Sequence, residues 1–269
     1  GADSRYFNKY GNYDSVGTYQ SKDSPYYGWY RFIEFPDKYA SWWGFDTLPA
    51  VNENNSGFEK FIAGRDGVVE RYLKEGVGGW RLDVADELPD EFIRLIRAAA
   101  KGANPDALLI GEVWEDASNK VSYNVRRKYL QGAELDGAIN YPFLRAVQKF
   151  VKEGDARAFS KHIRTQIDHY PKQSLDVCFN VLDTHDTPRA LTALADGTPK
   201  SDEKREWAEF RLSGEGYDTA KRRLKIASLL QYTVPGVPCL YYGDEAGMEG
   251  YKDPLNRLPY PWGSEDKDL

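Results

Sequence analysis

The sequence predicts an α/β fold in which βα units form part of a (β/α)8 TIM-type barrel, preceded by an irregular N-terminal domain. Three observations predict it. Short apolar runs of strand length recur near residues 80, 108, 137, 180 and 239. Segments with helical periodicity separate most of them, and strand–helix repetition implies a parallel sheet whose common closed form is a barrel. Residues 1–56, by contrast, have no clean period and are rich in Gly, Tyr, Asp, Asn and Pro. That is an excursion longer than an ordinary connection, and so an expected functional one.

In chain order, short helices are expected over 57–63 and 66–75, with the break at Gly64 and Gly67. Trp80 to Val84 reads as a strand. Pro89 opens a helix on which Phe92, Leu95, Ile96 and Ala99 make one apolar face. Ala107 to Gly111 is a strand, followed by a polar helix over 119–131. Leu135 to Asn140 is a short strand, with helices over 142–153 and 155–169. Val177 to Leu182 is a strand, Thr187 to Ala195 a helix, 196–216 a polar loop, Asp218 to Tyr232 a helix and Val237 to Tyr242 a strand. The domain division that follows is 1–56 and 57–269. Five strands are fewer than the eight of a complete barrel, so the chain reads as a piece of a longer protein.

Composition narrows the function. Of 269 residues, 41% are apolar and 29% charged, as in a globular enzyme. A net charge of −6 lacks the basic face of a nucleic-acid binder. No apolar run reaches the roughly 18 residues that span a bilayer, and the first residues do not make a signal peptide. Cys178 and Cys239 lie in apolar runs and read as buried thiols. Fifteen aromatic residues fall between Tyr6 and Phe45. They can build the core of an irregular domain or offer flat faces to sugars; most are expected in the core, with one or two lining a cleft.

Two runs carry the chemistry. Gly79-Trp80-Arg81-Leu82-Asp83 and Ile110-Gly111-Glu112-Val113-Trp114 each put a carboxylate at the end of a buried strand. Strand ends of βα proteins are where catalytic groups converge, and two carboxylates facing one bond are what glycoside cleavage uses. Arg81 lies two residues before Asp83, on the same face of the strand, and can hold it ionised.

In order along the chain, Leu48-Pro49-Ala50-Val51-Asn52, Gly79 to Glu87, Gly111-Glu112-Val113-Trp114, Leu182-Asp183-Thr184-His185-Asp186-Thr187-Pro188-Arg189 and Pro235 to Glu245 resemble blocks of the α-amylase superfamily, closest to its neopullulanase, cyclomaltodextrinase and maltogenic amylase branch. The resemblance implies strands four to eight of the catalytic barrel, with 1–56 as part of a domain inserted before strand four. It implies a retaining α-glucan hydrolase that cuts α-1,4 bonds, with Asp83 as nucleophile, Glu112 as general acid and then base, and Asp186 as third carboxylate. His185 is then a sugar-hydroxyl partner, Arg81 a support for Asp83, and Trp114 a hint of pullulan or cyclodextrin use. Glu112 must begin the cycle protonated, which burial and an ionised neighbour favour. The family's strand-three block has no counterpart, nor do strands one and two, which makes the activity of this chain by itself an open question. Exposed edges at strands four and eight are expected to favour self-association.

Simpler roles stay open for each residue. Asp83 can be only the ion-pair partner of Arg81, Glu112 a helix-dipole partner, and His185 with Asp186 a capping pair. Two other functions compete: a metal-dependent hydrolase using Asp83, Glu112, His185 and Asp186, and a non-catalytic glycan-binding module. Three histidines without paired spacing disfavour the metal site. No cofactor is expected for the chemistry. Asp and Asn of 1–56 can supply oxygens to a structural calcium, but no loop there has ligand spacing. The expected partner is an α-glucan, with neither nucleic acid nor membrane.

Overall fold

The computed structural model describes residues 1–199 and 203–269. It divides into two compact units, Gly1–Trp80 with Asp86–Leu109, and Arg81–Ala85 with Ile110–Leu269.

In the first unit the N-terminal segment is built around aromatic rings. The ring of fully buried Phe7 lies 4.9 Å from Tyr30 and 4.8 Å from Tyr39, edge-on to both. Strands β1 (Phe32–Glu34) and β2 (Lys38–Tyr39) form a short antiparallel ribbon that pairs Phe32 with Tyr39. Helix α1 (Ser56–Ala63) starts at Asn55, whose side chain accepts from the Gly57 and Phe58 amides. Helix α2 (Val68–Lys74) follows, and β3 (Gly79–Leu82) begins in this unit. Helix α3 (Asp90–Ala103) buries Phe92, Ile93, Ile96 and Ala100. The expected face of Phe92, Leu95, Ile96 and Ala99 is therefore rotated, because stacking of Phe92 on Phe58 of α1 at 5.9 Å fixes which side turns inward. Fewer of the fifteen rings lie in the core than expected: Phe7, Trp29 and Tyr39 are buried, while Tyr10, Tyr13, Trp42, Trp43 and Phe45 are exposed and the rest are partly buried against one another.

The second unit carries the parallel pairing. Strand β4 (Leu108–Gly111), whose first two residues belong to the first unit, is followed by the hairpin β5 (Val121–Ser122) and β6 (Val125–Arg126). This overturns the helix expected over 119–131. Tyr123 and Asn124 both have positive φ, 50° and 62°, the backbone of a two-residue hairpin turn that no helix contains. Strand β7 (Gly137–Ala138) pairs parallel with β4, Ile110 opposite Gly137. Helices α4 (Tyr141–Glu153), α5 (Ala156–His169) and α6 (Lys172–Leu175) lead to β8 (Phe179–Val181). A parallel bridge joins Ile139 to Phe179, and β8 pairs parallel with β9 (Val237–Cys239). All five expected strands are present, and β4, β7, β8 and β9 neighbour one another in chain order.

Between β8 and β9 lie α7 (Ala190–Leu194), α8 (Lys204–Glu209) and α9 (Gly214–Thr233). The loop expected over 196–216 thus contains α8 and the start of α9; its residues 200–202 lie outside the described residues. A stripe on α9, Ala220, Leu224 and Ala227, packs with Phe143 and Val147 of α4 and Leu191 and Leu194 of α7. The same stripe ends in buried Gln231, whose Nε2 donates to the carbonyls of Asn180 (2.8 Å) and Cys239 (3.1 Å). Asn140 caps α4 by accepting from the Phe143 amide at 3.1 Å. It also donates to Asn180 Oδ1 at 2.8 Å and accepts from Gln166 Nε2 at 2.7 Å. No described helix is long and apolar enough to cross a membrane.

Candidate active site

The site forms in the second unit, where β3 and β4 end. The Glu112 amide donates to the Leu82 carbonyl at 2.9 Å, and the Ala85 amide to the Glu112 carbonyl at 3.1 Å. Between these two bonds the backbone turns at Val84, which has φ 40°. That conformation is an outlier for a β-branched residue, and such strain costs about 1–3 kcal/mol. It aims the Val84 N–H at Glu112 Oε2, 2.8 Å away.

Glu112 is buried, its side chain 4% exposed, and accepts two further bonds: from Arg81 Nη2 at 3.0 Å and from Trp114 Nε1 at 3.1 Å. Asp83, 73% exposed, takes the other arm of the same guanidinium at 2.6 Å. Arg81 therefore holds both carboxylates at once. Burial opposes its charge, but the Asp83 hydrogen bond and the Glu112 charge more than offset this and hold the guanidinium above its usual range.

Two residues after Glu112, Trp114 lies flat on Tyr141, with ring centroids 3.9 Å apart and planes 9° apart. Its carbonyl accepts from Arg145 Nη2 at 2.6 Å. Tyr141 is buried, and burial pushes its hydroxyl up to about 12, with the charges of Glu112 and Asp186 adding to the effect. After β8, Asp186 receives His185 Nε2 at 3.1 Å and Arg257 Nη2 at 3.3 Å. The other side of that guanidinium reaches Asp253 at 2.6 Å. A mainly apolar cavity of about 260 Å³ lies here, its walls including Arg81, Tyr141, Asp183, Thr184, His185 and Tyr241.

The expected residues thus fall into two hydrogen-bonded sets, Arg81–Asp83–Glu112–Trp114 and His185–Asp186. Arg81 and His185 line the same cavity. Sequence reasoning missed Tyr141 and Arg257. Tyr141 follows β7 closely, and position at a strand's carboxyl end was a usable signal. Arg257 lies 71 residues from Asp186 in a segment without strand or helix period, and no local signal marks it. Among the described residues, no group of three or more His, Cys, Asp and Glu side chains has a metal-holding arrangement.

Known proteins are similar to this chain in sequence and fold. The family described as "Alpha amylase, catalytic domain" matches residues 29–267. An amylopullulanase of Thermoanaerobacter thermohydrosulfuricus is 34% identical across 99% of this chain and 19% of its own length. A Bacillus cyclomaltodextrinase is 37% identical across 82% of this chain and 34% of its own length. Among solved structures, a cyclic α-maltosyl-(1→6)-maltose hydrolase of Arthrobacter globiformis in complex with maltose superposes with a TM-score of 0.79 at 26% identity. That match covers 100% of this chain and 54% of the hydrolase. The chain thus spans about a fifth and about a third of the length of these two curated relatives.

Proposed function

Because the chain belongs to the α-amylase catalytic-domain family, we propose that it supplies the acidic machinery of a retaining hydrolase of α-1,4-glucans. Starch, maltooligosaccharides, pullulan and cyclodextrins are the candidate substrates. The observation that carries this reading is the double engagement of Arg81, one arm on exposed Asp83 and one on buried Glu112. Two acids at neighbouring strand ends, one open to solvent and one enclosed, suit an attacking and a proton-transferring role.

In the first step Glu112 gives its proton to the glycosidic oxygen as that bond breaks, and Asp83 Oδ bonds to the anomeric carbon. The product is a covalent glycosyl-enzyme. In the second step Glu112 takes a proton from water, the water oxygen attacks the anomeric carbon, and the Asp83 ester bond breaks. Two inversions give net retention. Asp186, aligned by His185 and Arg257, steadies the positive charge that builds on the sugar ring between the two states. Trp114, flat on Tyr141, offers an apolar face to a sugar. The scheme needs no metal or cofactor.

We also read β3, β4, β7, β8 and β9 as strands four to eight of a (β/α)8 barrel, with 1–56 as a domain inserted before strand four. Parallel pairing in chain order supports this.

The test is proton NMR of maltoheptaose during cleavage by this protein and by Asp83→Asn. The α-anomer is expected first, with a loss on the order of 10³-fold or more in the variant. Initial β-anomer, or an undiminished variant, would remove Asp83 as nucleophile. Binding without turnover in the complete protein would instead favour a glycan-binding module.

A further inference from the structure

The loop that carries His185 and Asp186 is clasped from behind by a buried amide. Asn256, 0% exposed, directs its Nδ2 at three carbonyls of that loop: His185 at 2.7 Å, Thr187 at 2.8 Å and Thr184 at 3.4 Å. All three neighbours are acceptors, so only the amide's NH2 side can face them. The clasp is reciprocal. The Arg189 amide donates to the Gly250 carbonyl at 2.9 Å, and Arg189 Nε to the Asn256 carbonyl at 2.8 Å. Arg189 Nη1 also donates to the Tyr242 carbonyl. That guanidinium is fully buried and sits 4.0 Å above the Tyr241 ring. Gly250 permits the close approach, since a Cβ there would lie 2.9 Å from Asn256 Cα and 3.1 Å from Arg189 Cγ.

We infer that Asn256 is a positioning residue for the third carboxylate: it fixes the 184–187 backbone so that Asp186 and His185 keep their place in the cavity. The inference rests on the glycosidase reading of Asp186. Several features favour it over simple packing. The amide contacts the carbonyls of three residues, Thr184, His185 and Thr187, within one tight loop. The loop's own bonds all converge on Thr184: from the Thr184 amide to Thr187 Oγ1 at 2.8 Å, from the Thr187 amide and Oγ1 to the Thr184 carbonyl at 3.2 and 3.4 Å, and from the Asp186 amide to Thr184 Oγ1 at 3.2 Å. None of them holds the His185 carbonyl that Asn256 takes. The residue after Asn256 is Arg257, which touches Asp186 itself. One short segment therefore sets both the backbone and the side chain of Asp186. Asparagine alone fits the task at this size, supplying two N–H groups without burying a charge.

The experiment compares the protein with Asn256→Ala and Thr187→Val. It measures kcat and KM on maltoheptaose and amide hydrogen exchange over 183–189 and over α4. For Asn256→Ala, kcat is expected to fall about 10- to 100-fold, the cost of misplacing a reacting group by about an ångström. KM should stay within about threefold, and exchange should speed up over 183–189 but not over α4. Thr187→Val, which removes the two Thr187 Oγ1 bonds and leaves the Asn256 amide in place, should act more weakly. If Asn256→Ala does not fold, Asn256→Ser, which keeps a single donor, replaces it and should show the same pattern of lower kcat and faster exchange over 183–189. Unchanged exchange over 183–189 overturns the inference, and so does faster exchange with unchanged kcat. If the unaltered protein turns nothing over while the complete protein also does not, the glycosidase reading has failed separately. Exchange over 183–189 then judges the clasp alone.

Discussion

Arg81 makes the two proposed catalytic acids one electrostatic unit. Its planar fork meets each carboxylate with a separate nitrogen, 2.6 Å from Asp83 and 3.0 Å from Glu112. A lysine has one point charge and cannot hold both. Arg81→Lys is therefore expected to lower kcat on the order of 10²-fold with little change in KM, as steady-state kinetics would show. A second residue-scale prediction concerns Asp183 and Asp244, buried beside Arg189. Burial raises Asp183 to about 6 from 3.8, while burial and the Asp183 charge also raise Asp244. Between about pH 4 and 6 the native state keeps a proton at Asp183 that the unfolded chain has already lost, so stability falls as pH rises. Asp183→Asn cannot ionise and should escape this. Denaturant titrations at pH 4, 5 and 6 should show the variant gaining on the unaltered protein at each step. Asp83, Glu112, His185 and Asp186 could be singled out in the sequence because they sit in short contiguous blocks. Arg257 and Asn256 could not, since their partners in the 184–187 loop lie 69 to 72 residues upstream along the chain.

At the scale of elements, strands and helices with buried faces were legible, because burial imposes a period on the sequence. The hairpin β5–β6 was not. Its two-residue strands bury little, and only the Tyr123-Asn124 backbone distinguishes it from a polar helix. The rotated face of α3 was missed for a related reason: Leu95 and Ile93 are equally apolar, and the neighbouring α1 decides which one is buried. Junctions between elements depend on polar side chains that hydropathy does not register. Asn140 is the clearest case, capping α4 while bonded to Gln166 of α5 and Asn180 of β8. Asn140→Ala strands two buried partners and removes a cap, and should cost about 2–4 kcal/mol. Thermal unfolding followed by circular dichroism would register this as a clear drop in midpoint. A change under about 0.5 kcal/mol would show that water replaces the network.

For the molecule as a whole, β3 and β9 end their sheets, and an unpaired edge is a template for another chain. Self-association that grows with concentration is the expected behaviour, measured by light scattering across a dilution series. A constant monomer mass at the highest concentration would count against it. The fold class was readable because the alternation of strand and helix extends over most of the chain. The aromatic N-terminal segment offered no such alternation, and whether a given ring packs or faces solvent there follows from close contacts, as with Phe7 inside and Trp43 outside.

The order in which the parallel strands neighbour one another has a consequence for how the protein is made. β7 joins β4, the residue after β7 bridges to β8, and β9 joins β8. Each new strand meets one that has already left the ribosome, so within this series no strand must wait for a later one to fill a gap beside it. At about 5–20 residues per second, synthesis is slow enough for each addition to settle before the next arrives. The growing edge is then always the newest strand, and a pause in translation would leave that strand, besides the edge at β3, open to a wrong partner.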